Sequence, residues 1–383
     1  MLLLILPSQL AINAPWLPLI YVSSGIFSIL WFIIAFLDKN YKINKPLLSI
    51  WLVLICLLFF SVISSWINNW FRPMILLGAL CSFFLVSLIN FSKLQKPIYF
   101  VRILVLGTAI SGAFICLISI LIEPPKLFRY QGFFNNPNGM GEFTSNLIII
   151  LFAATINHKK LAFNKLQTSF FVLVIITSSL LLLMSNSRTA LVSVISVILL
   201  LFLIELVSNT YRNYFSRKSF RKLTRFTLVI GIVIFFLEKM NFFLPIYNKF
   251  VTKAETGDIS SDRFDAWMTS LNNLTWFGHG RDYKEFIGSM AEATGHNLFI
   301  TYLDRFGLVI VVIFLIYFLL IFKQSLKASL NRKSVIAPLV LACLTGFLVR
   351  SMFAGGTLVP LFWLFGLLFA AFNGELRLIN HYR

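Results

Sequence analysis

Stretches of predominantly apolar residues, each near the 20 or so that cross a bilayer's hydrocarbon core as a helix, recur along this chain. They fall near 17–37, 46–65, 73–91, 98–122, 142–157, 168–184, 189–207, 226–246, 297–322, 335–350 and 352–372. Eleven such stretches leave few folds open. At membrane depth a lipid-exposed segment must satisfy its own backbone polar groups, so each span reads as a helix. The opening MLLLILPSQLAI is apolar but short and contains Pro7. It fits either a twelfth, short helix or an interfacial one, and no basic segment precedes it as in a cleaved signal peptide. The expected fold is all-α: a polytopic membrane protein with 11–12 transmembrane helices, in one transmembrane domain over residues 1–383.

Composition agrees and excludes other classes. Hydrophobic residues make up 58% of the 383 and charged residues 12%, against about 45–50% and 25% in soluble globular chains. A water-soluble enzyme, a disordered chain and a fibrous repeat are all ruled out. The net charge of +19, from 33 Lys+Arg and 14 Asp+Glu, would suggest nucleic acid in a soluble protein. The loops decide otherwise. If 38–45 is cytoplasmic and the spans alternate from there, 21 basic and 3 acidic residues face the cytoplasm, including the six-residue cluster between Arg212 and Arg225. The other face keeps 12 basic and 11 acidic residues, so the two faces carry +18 and +1. That asymmetry is the positive-inside signature of membrane topology, and no nucleic-acid partner is expected. The C-terminus falls on the cytoplasmic side.

The longest hydrophilic segment, 247–296, lies on the opposite, extracytoplasmic face. A loop of that length calls for a function. Within it SSDRFDAWMTSLNNL places Phe264, Trp267, Met268 and Leu271 on one helical face, with Ser260 or Ser261 as the cap. Such a helix also fits a plain amphipathic element lying on the membrane surface. Cys56, Cys81, Cys116 and Cys343 all fall in spans at spacings that suit neither a metal nor a disulfide framework, so they read as packing residues. No P-loop, GxGxxG or internal repeat occurs, which disfavours an ATP-driven pump.

Several outward residues are candidates for chemistry. His158 and His381 sit in basic cytoplasmic segments and His279 in a GHG turn. His296 closes the long loop directly before Asn297 and an apolar helix. There a neutral imidazole can accept a proton at the membrane surface, although a helix cap or interface role fits as well. Arg188, Arg263, Arg281, Arg305 and Arg350 share this face. A guanidinium binds phosphate oxygens through two parallel hydrogen bonds and keeps its charge. For Arg188, between two spans in SNSRTAL, a snorkelling anchor is the alternative. Arg305 lies nine residues into the helix after His296, roughly 13 Å along its axis, beside Asp304 as a candidate ion-pair partner. In YQGFFNNPNGMGEF, Asn135 and Asn138 fit sugar hydroxyls or, equally, a turn that starts a helix. No DxD pair occurs and the outward carboxylates lack metal-ligand spacing, so neutralisation of a diphosphate by arginine is favoured over Mg²⁺ or Mn²⁺.

Four segments in order, GFFNNPNGMGE (132–142), SNSRTAL (185–191), DRFDAW (262–267) and His296-Asn297 with Gly307, together with a long late outer loop, resemble the O-antigen ligase/polymerase superfamily of bacterial envelope glycosyltransferases. The resemblance implies a glycosyltransferase-C-like membrane fold in the bacterial inner membrane, with an extracytoplasmic active site and no cofactor. It implies an undecaprenyl-diphosphate-linked glycan donor and a glycan or lipid acceptor. Arg188 and Arg263 would hold the diphosphate and His296 would stand at the acceptor hydroxyl. Asn135, Asn138, Asn297, Arg281 and Arg305 are candidate glycan or acceptor contacts, and no metal site is expected. Ile310 stands where ligases of the family often have a small residue or Tyr, and Trp267 where they have Leu. These departures favour a polysaccharide polymerase over a ligase that transfers the finished glycan to a lipid A core. A transporter of lipid-linked sugars is the third reading, disfavoured because the polar residues gather on one face and no repeat is visible.

Overall fold

Proline and asparagine set most of the helix starts. The computed structural model describes residues 45–69, 96–126, 129–134, 136–210, 251, 263–280, 297–352 and 359–381. The described residues form ten helices and no strand: α1 Lys45–Ile67, α2 Pro97–Ile122, α3 Pro137–Ile156, α4 Lys165–Ser185, α5 Arg188–Thr210, α6 Arg263–Asn272, α7 Leu298–Phe306, α8 Leu308–Leu330, α9 Ala337–Ser351 and α10 Val359–His381. Pro97 and Pro137 open α2 and α3, where a missing N–H costs nothing. Asn136 Oδ1 accepts from Gly139 N at 2.8 Å, and Asn164 with Gln167 builds a reciprocal cap on α4. Asn186 ends α4 in the left-handed region at φ 54°, a conformation that asparagine tolerates.

Five helices, α2, α3, α4, α5 and α8, are long and apolar enough to cross a membrane. Their exposed residues confirm the solvent. Ile110, Phe114, Leu117 and Leu121 on α2 are exposed at helical spacing, as are Val192, Ile195, Leu199 and Leu203 on α5. Apolar side chains thus line both the interior and the outside, which suits lipid and not water. α3 is the central span: 72% of its apolar window is buried, against 33–44% in the other four. It packs against α2, α4, α5 and α9. α9 has only 15 residues, about 22 Å of helix against a hydrocarbon core of about 30 Å. It is enclosed by α3, α5, α8 and α10, with Leu339 to Leu344 fully buried. Protein rather than lipid surrounds it, so it need not reach both interfaces by itself.

One expected span is in fact two helices. The stretch 297–322 breaks at Gly307, φ 83°, into the short α7 and the spanning α8. Arg305 therefore lies in the last turn of a nine-residue helix, not deep within a span. The expected spans at 17–37, 73–91 and 226–246, the first dozen residues and most of the long loop lie outside the described residues. Cys81 does too, while Cys116 and Cys343 are buried and Cys56 is exposed on α1.

The contacts between helix ends keep the alternation deduced from the loops. At one end Tyr130 N donates to Met184 O at 3.0 Å, Ser64 Oγ donates to Phe277 O, and Arg350 meets Glu142. At the other, Arg332 Nε donates to Ser208 Oγ at 2.9 Å, Val335 N donates to Glu375 Oε1 at 2.8 Å, and Arg102 stacks over Phe163. The second set is the end where the basic loops gather.

Candidate active site

The four segments singled out in the sequence fold into two pairs. In the first pair, the start of α3 lies against the tight turn between α4 and α5. Gly141 has no room for a side chain: a Cβ there would fall on Ser187 and lie 2.9 Å from Ser185 Oγ. That close approach sets GFFNNPNGMGE beside SNSRTAL. Arg188, the first residue of α5, is half-buried at this junction. The 23-residue α5 begins at the same turn, and a helix N-terminus favours anions.

Beneath the turn sits a cluster that the sequence reading left unassembled. Arg350 of α9, 1% exposed, pairs with Glu142 Oε1 at 3.2 Å. It donates to Glu142 O at 3.4 Å and also hydrogen-bonds Asn146 Oδ1. Glu142 and Asn146 stand one turn apart on α3, so both meet one guanidinium. An acid four residues before an asparagine, in an otherwise apolar span, was the available signal.

In the second pair, the segment that follows α6 in the long loop is stitched to the α7–α8 break. His279 N donates to Asp304 O at 2.6 Å, Gly280 N to Arg305 O at 3.1 Å, and Leu308 N to Thr275 O at 3.0 Å. Gly278 and Gly307 are in the positive-φ region, at 73° and 83°, and back onto one another's strands of chain. Ser64 Oγ of α1 reaches Phe277 O in the same knot. α6 joins through Ser270 Oγ, which donates to buried Asp304 Oδ2 at 3.0 Å. The helix at 263–272 is thus present, but its inward residue is Ser270. Met268 and Leu271, which the periodicity puts on the apolar face, are exposed. That arrangement suits a helix lying at a membrane surface.

Asn297 caps α7, with Oδ1 accepting from Phe299 N at 2.9 Å and Ile300 N at 3.2 Å. Asn138 is exposed in the first turn of α3. Arg305 is half-buried at the knot and engaged there. Arg263 opens α6, but only its backbone is described. His296, Arg281 and Asn135 lie outside the described residues.

The loop from α2 to α3 is ordered by one carboxylate. Glu123 accepts from Gly132 N at 2.7 Å and Gln131 N at 3.3 Å, and pairs with Lys126 at 2.5 Å. The Lys126 hydrogen bond, with help from the two backbone N–H groups, holds this carboxyl below its ordinary pKa. Tyr130 is fully buried beside it, and burial, with the nearby carboxylate, pushes its phenol up to about 12.

Fold and site together define a polytopic, all-helical membrane protein with polar clusters built at the ends of its helices. Residues 172–315, from α4 into α8, match the family model described as O-antigen ligase, a match that supports the resemblance to the O-antigen ligase/polymerase superfamily. The matched stretch contains Arg188, Arg263 and His296. No curated protein matches the chain.

Proposed function

We propose that this protein is an O-antigen-type envelope polysaccharide polymerase. It joins glycan from an undecaprenyl-diphosphate-linked donor to a growing-chain acceptor, without a metal and with inversion at the anomeric carbon. It acts in the bacterial plasma membrane, with the site outside and the C-terminus cytoplasmic. The observation that supports glycan transfer by this chain is the match over residues 172–315, which encloses both arginines and the histidine; the preference for a polymerase rests on Trp267 and Ile310, which depart from the ligase pattern.

The chemistry divides between these groups. The acceptor hydroxyl oxygen attacks the anomeric carbon while His296 takes its proton. The bond from that carbon to the diphosphate oxygen breaks, and the diphosphate leaves with the electron pair. Arg188 and Arg263 neutralise the departing charge, which a diphosphate needs more than a proton. Arg188 begins a long helix, and the dipole of α5 adds to its attraction for an anion.

The family description, O-antigen ligase, favours a second reading in which the same groups transfer a finished glycan to a lipid A core or another acceptor. Product analysis separates the two: a ladder of lengths marks the polymerase, and transfer of preformed chains to a new acceptor marks the ligase. Replacing His296 by Ala should abolish either product while the protein remains in the membrane at normal level. Full activity in that variant would remove His296 from the reaction.

A further inference from the structure

At the end of the bundle opposite the candidate active site, α5 and α8 line a groove of about 580 Å³. Its lining is mostly apolar: Leu319, Phe322, Leu326 and Leu330 run along α8, and Val207 faces them from α5. Lys323, Lys327 and Asn331 are interleaved with these toward the helix end, and Ser208 of α5 also lines the groove. Leu319 to Asn331 spans about 18 Å of helix. Apolar side chains thus run the length of the groove, and its two ammonium groups stand in the half toward the bilayer boundary.

The charge is unbalanced. Lys323 and Lys327 are exposed, one turn apart on the same face of α8. Among the described residues neither pairs with a carboxylate. The nearby acid, Glu205, is met by Arg332 at 3.4 Å, and that arginine also donates to Ser208 Oγ at the groove's edge. The groove therefore joins an apolar slot to two uncompensated cations at the membrane's edge.

We infer that this groove is a binding site for an anionic glycerophospholipid, with an acyl chain along Leu319 and Phe322 and the headgroup phosphate between Lys323 and Lys327. An apolar slot with its cations toward the membrane's edge suits a lipid whose tail lies inward and whose phosphate lies at that edge. Basic pockets between spanning helices favour acidic headgroups in this way. The inference does not depend on the reaction at the other end of the molecule.

The test uses the full-length protein purified in mild detergent. It is incubated with phosphatidylglycerol or with phosphatidylcholine of the same acyl chains, and retained lipid is counted by native mass spectrometry. Phosphatidylglycerol should be retained in preference, and more weakly as salt is raised. The double variant Lys323→Gln/Lys327→Gln should lose about 30-fold in phosphatidylglycerol affinity, with phosphatidylcholine retention unchanged. The Lys323→Arg/Lys327→Arg variant keeps both charges and should retain the lipid as well as the parent, which keeps the test open if the Gln variant misfolds. Equal retention of the two lipids by the parent protein would overturn the site. So would unchanged phosphatidylglycerol retention in a folded Gln variant, or its loss in a folded Arg variant.

Discussion

Arg350 in the last turn of α9 and Glu142 in the second turn of α3 form an ion pair 3.2 Å apart inside the helix bundle. The pair joins the short, enclosed α9 to the central span at the level of the candidate site. Taking one partner away leaves an uncompensated charge among apolar side chains, whereas removing both leaves none. Arg350→Met should therefore destabilise the protein by about 3–5 kcal/mol, read as a fall in unfolding temperature in detergent. The double variant Glu142→Gln/Arg350→Met should recover most of that loss. An equal loss in single and double variants would show that packing, not charge pairing, holds the two helices.

Gly307 permits the break between α7 and α8. Its φ of 83° is in the left-handed region, and a Cβ there would fall on Trp276 O and on the amide nitrogens of Phe277 and Gly278. Gly307→Ala meets both problems, and backbone strain alone costs on the order of 1–3 kcal/mol. The expected result is release of residues 274–280 from α7, seen as new protease cleavage in that segment while the spans stay protected. Unchanged cleavage in Gly307→Ala would mean that the loop is held elsewhere.

Most of the fold was legible because spanning helices announce themselves by composition and length. The described residues carry helices at 45–67, 97–122, 137–156, 165–185 and 188–210, close to the apolar stretches. The break at Gly307 was not legible, since α7 and α8 are both apolar and hydropathy runs through the junction. What divides them is a backbone conformation and a chain segment pressed against it, and neither leaves a hydropathy signal. Which face of α6 turns inward was not legible either. Periodicity locates an apolar stripe but does not say whether protein or lipid covers it, and here Ser270, beside the stripe, is buried against Asp304 while Met268 and Leu271 are exposed. Of the site, the pairing of the segments was invisible as well: Gly141 against Ser187 and Glu142 with Arg350 join residues far apart in the chain.

Glu123 links the order of the α2–α3 loop to pH. Its folded pKa lies below the ordinary value, so the folded chain binds fewer protons than the unfolded one in the interval between them. The stabilising contribution is therefore fully present above the ordinary glutamate range, about 4.3, and is lost as pH falls through the lowered folded value. Amide exchange at Gln131 and Gly132, corrected for intrinsic rates, should accelerate across that acidic window and not above it. Glu123→Gln should remove the pH dependence. The carboxyl is partly exposed and paired with Lys126, so high salt should weaken the effect.

Arg188→Lys separates charge from geometry at the turn between α4 and α5. On the proposed reaction, Arg188 meets the donor diphosphate through two parallel hydrogen bonds, and a lysine keeps the charge but offers only a point contact. Loss of one charge-assisted hydrogen bond, worth about 1.5–3 kcal/mol, should lower glycan transfer by roughly 10- to 100-fold. Arg188→Ala should fall further, toward a loss of the order of 1000-fold, as when a donor facing developing charge is removed. Both variants should keep their membrane level, since Arg188 is half-buried at a helix start rather than in the core. The measurement is the initial rate of polymer formation from lipid-linked repeat units in membranes of equal protein content. A lysine variant as fast as the parent would show that Arg188 is an anchor at the membrane surface and not the group that holds the diphosphate.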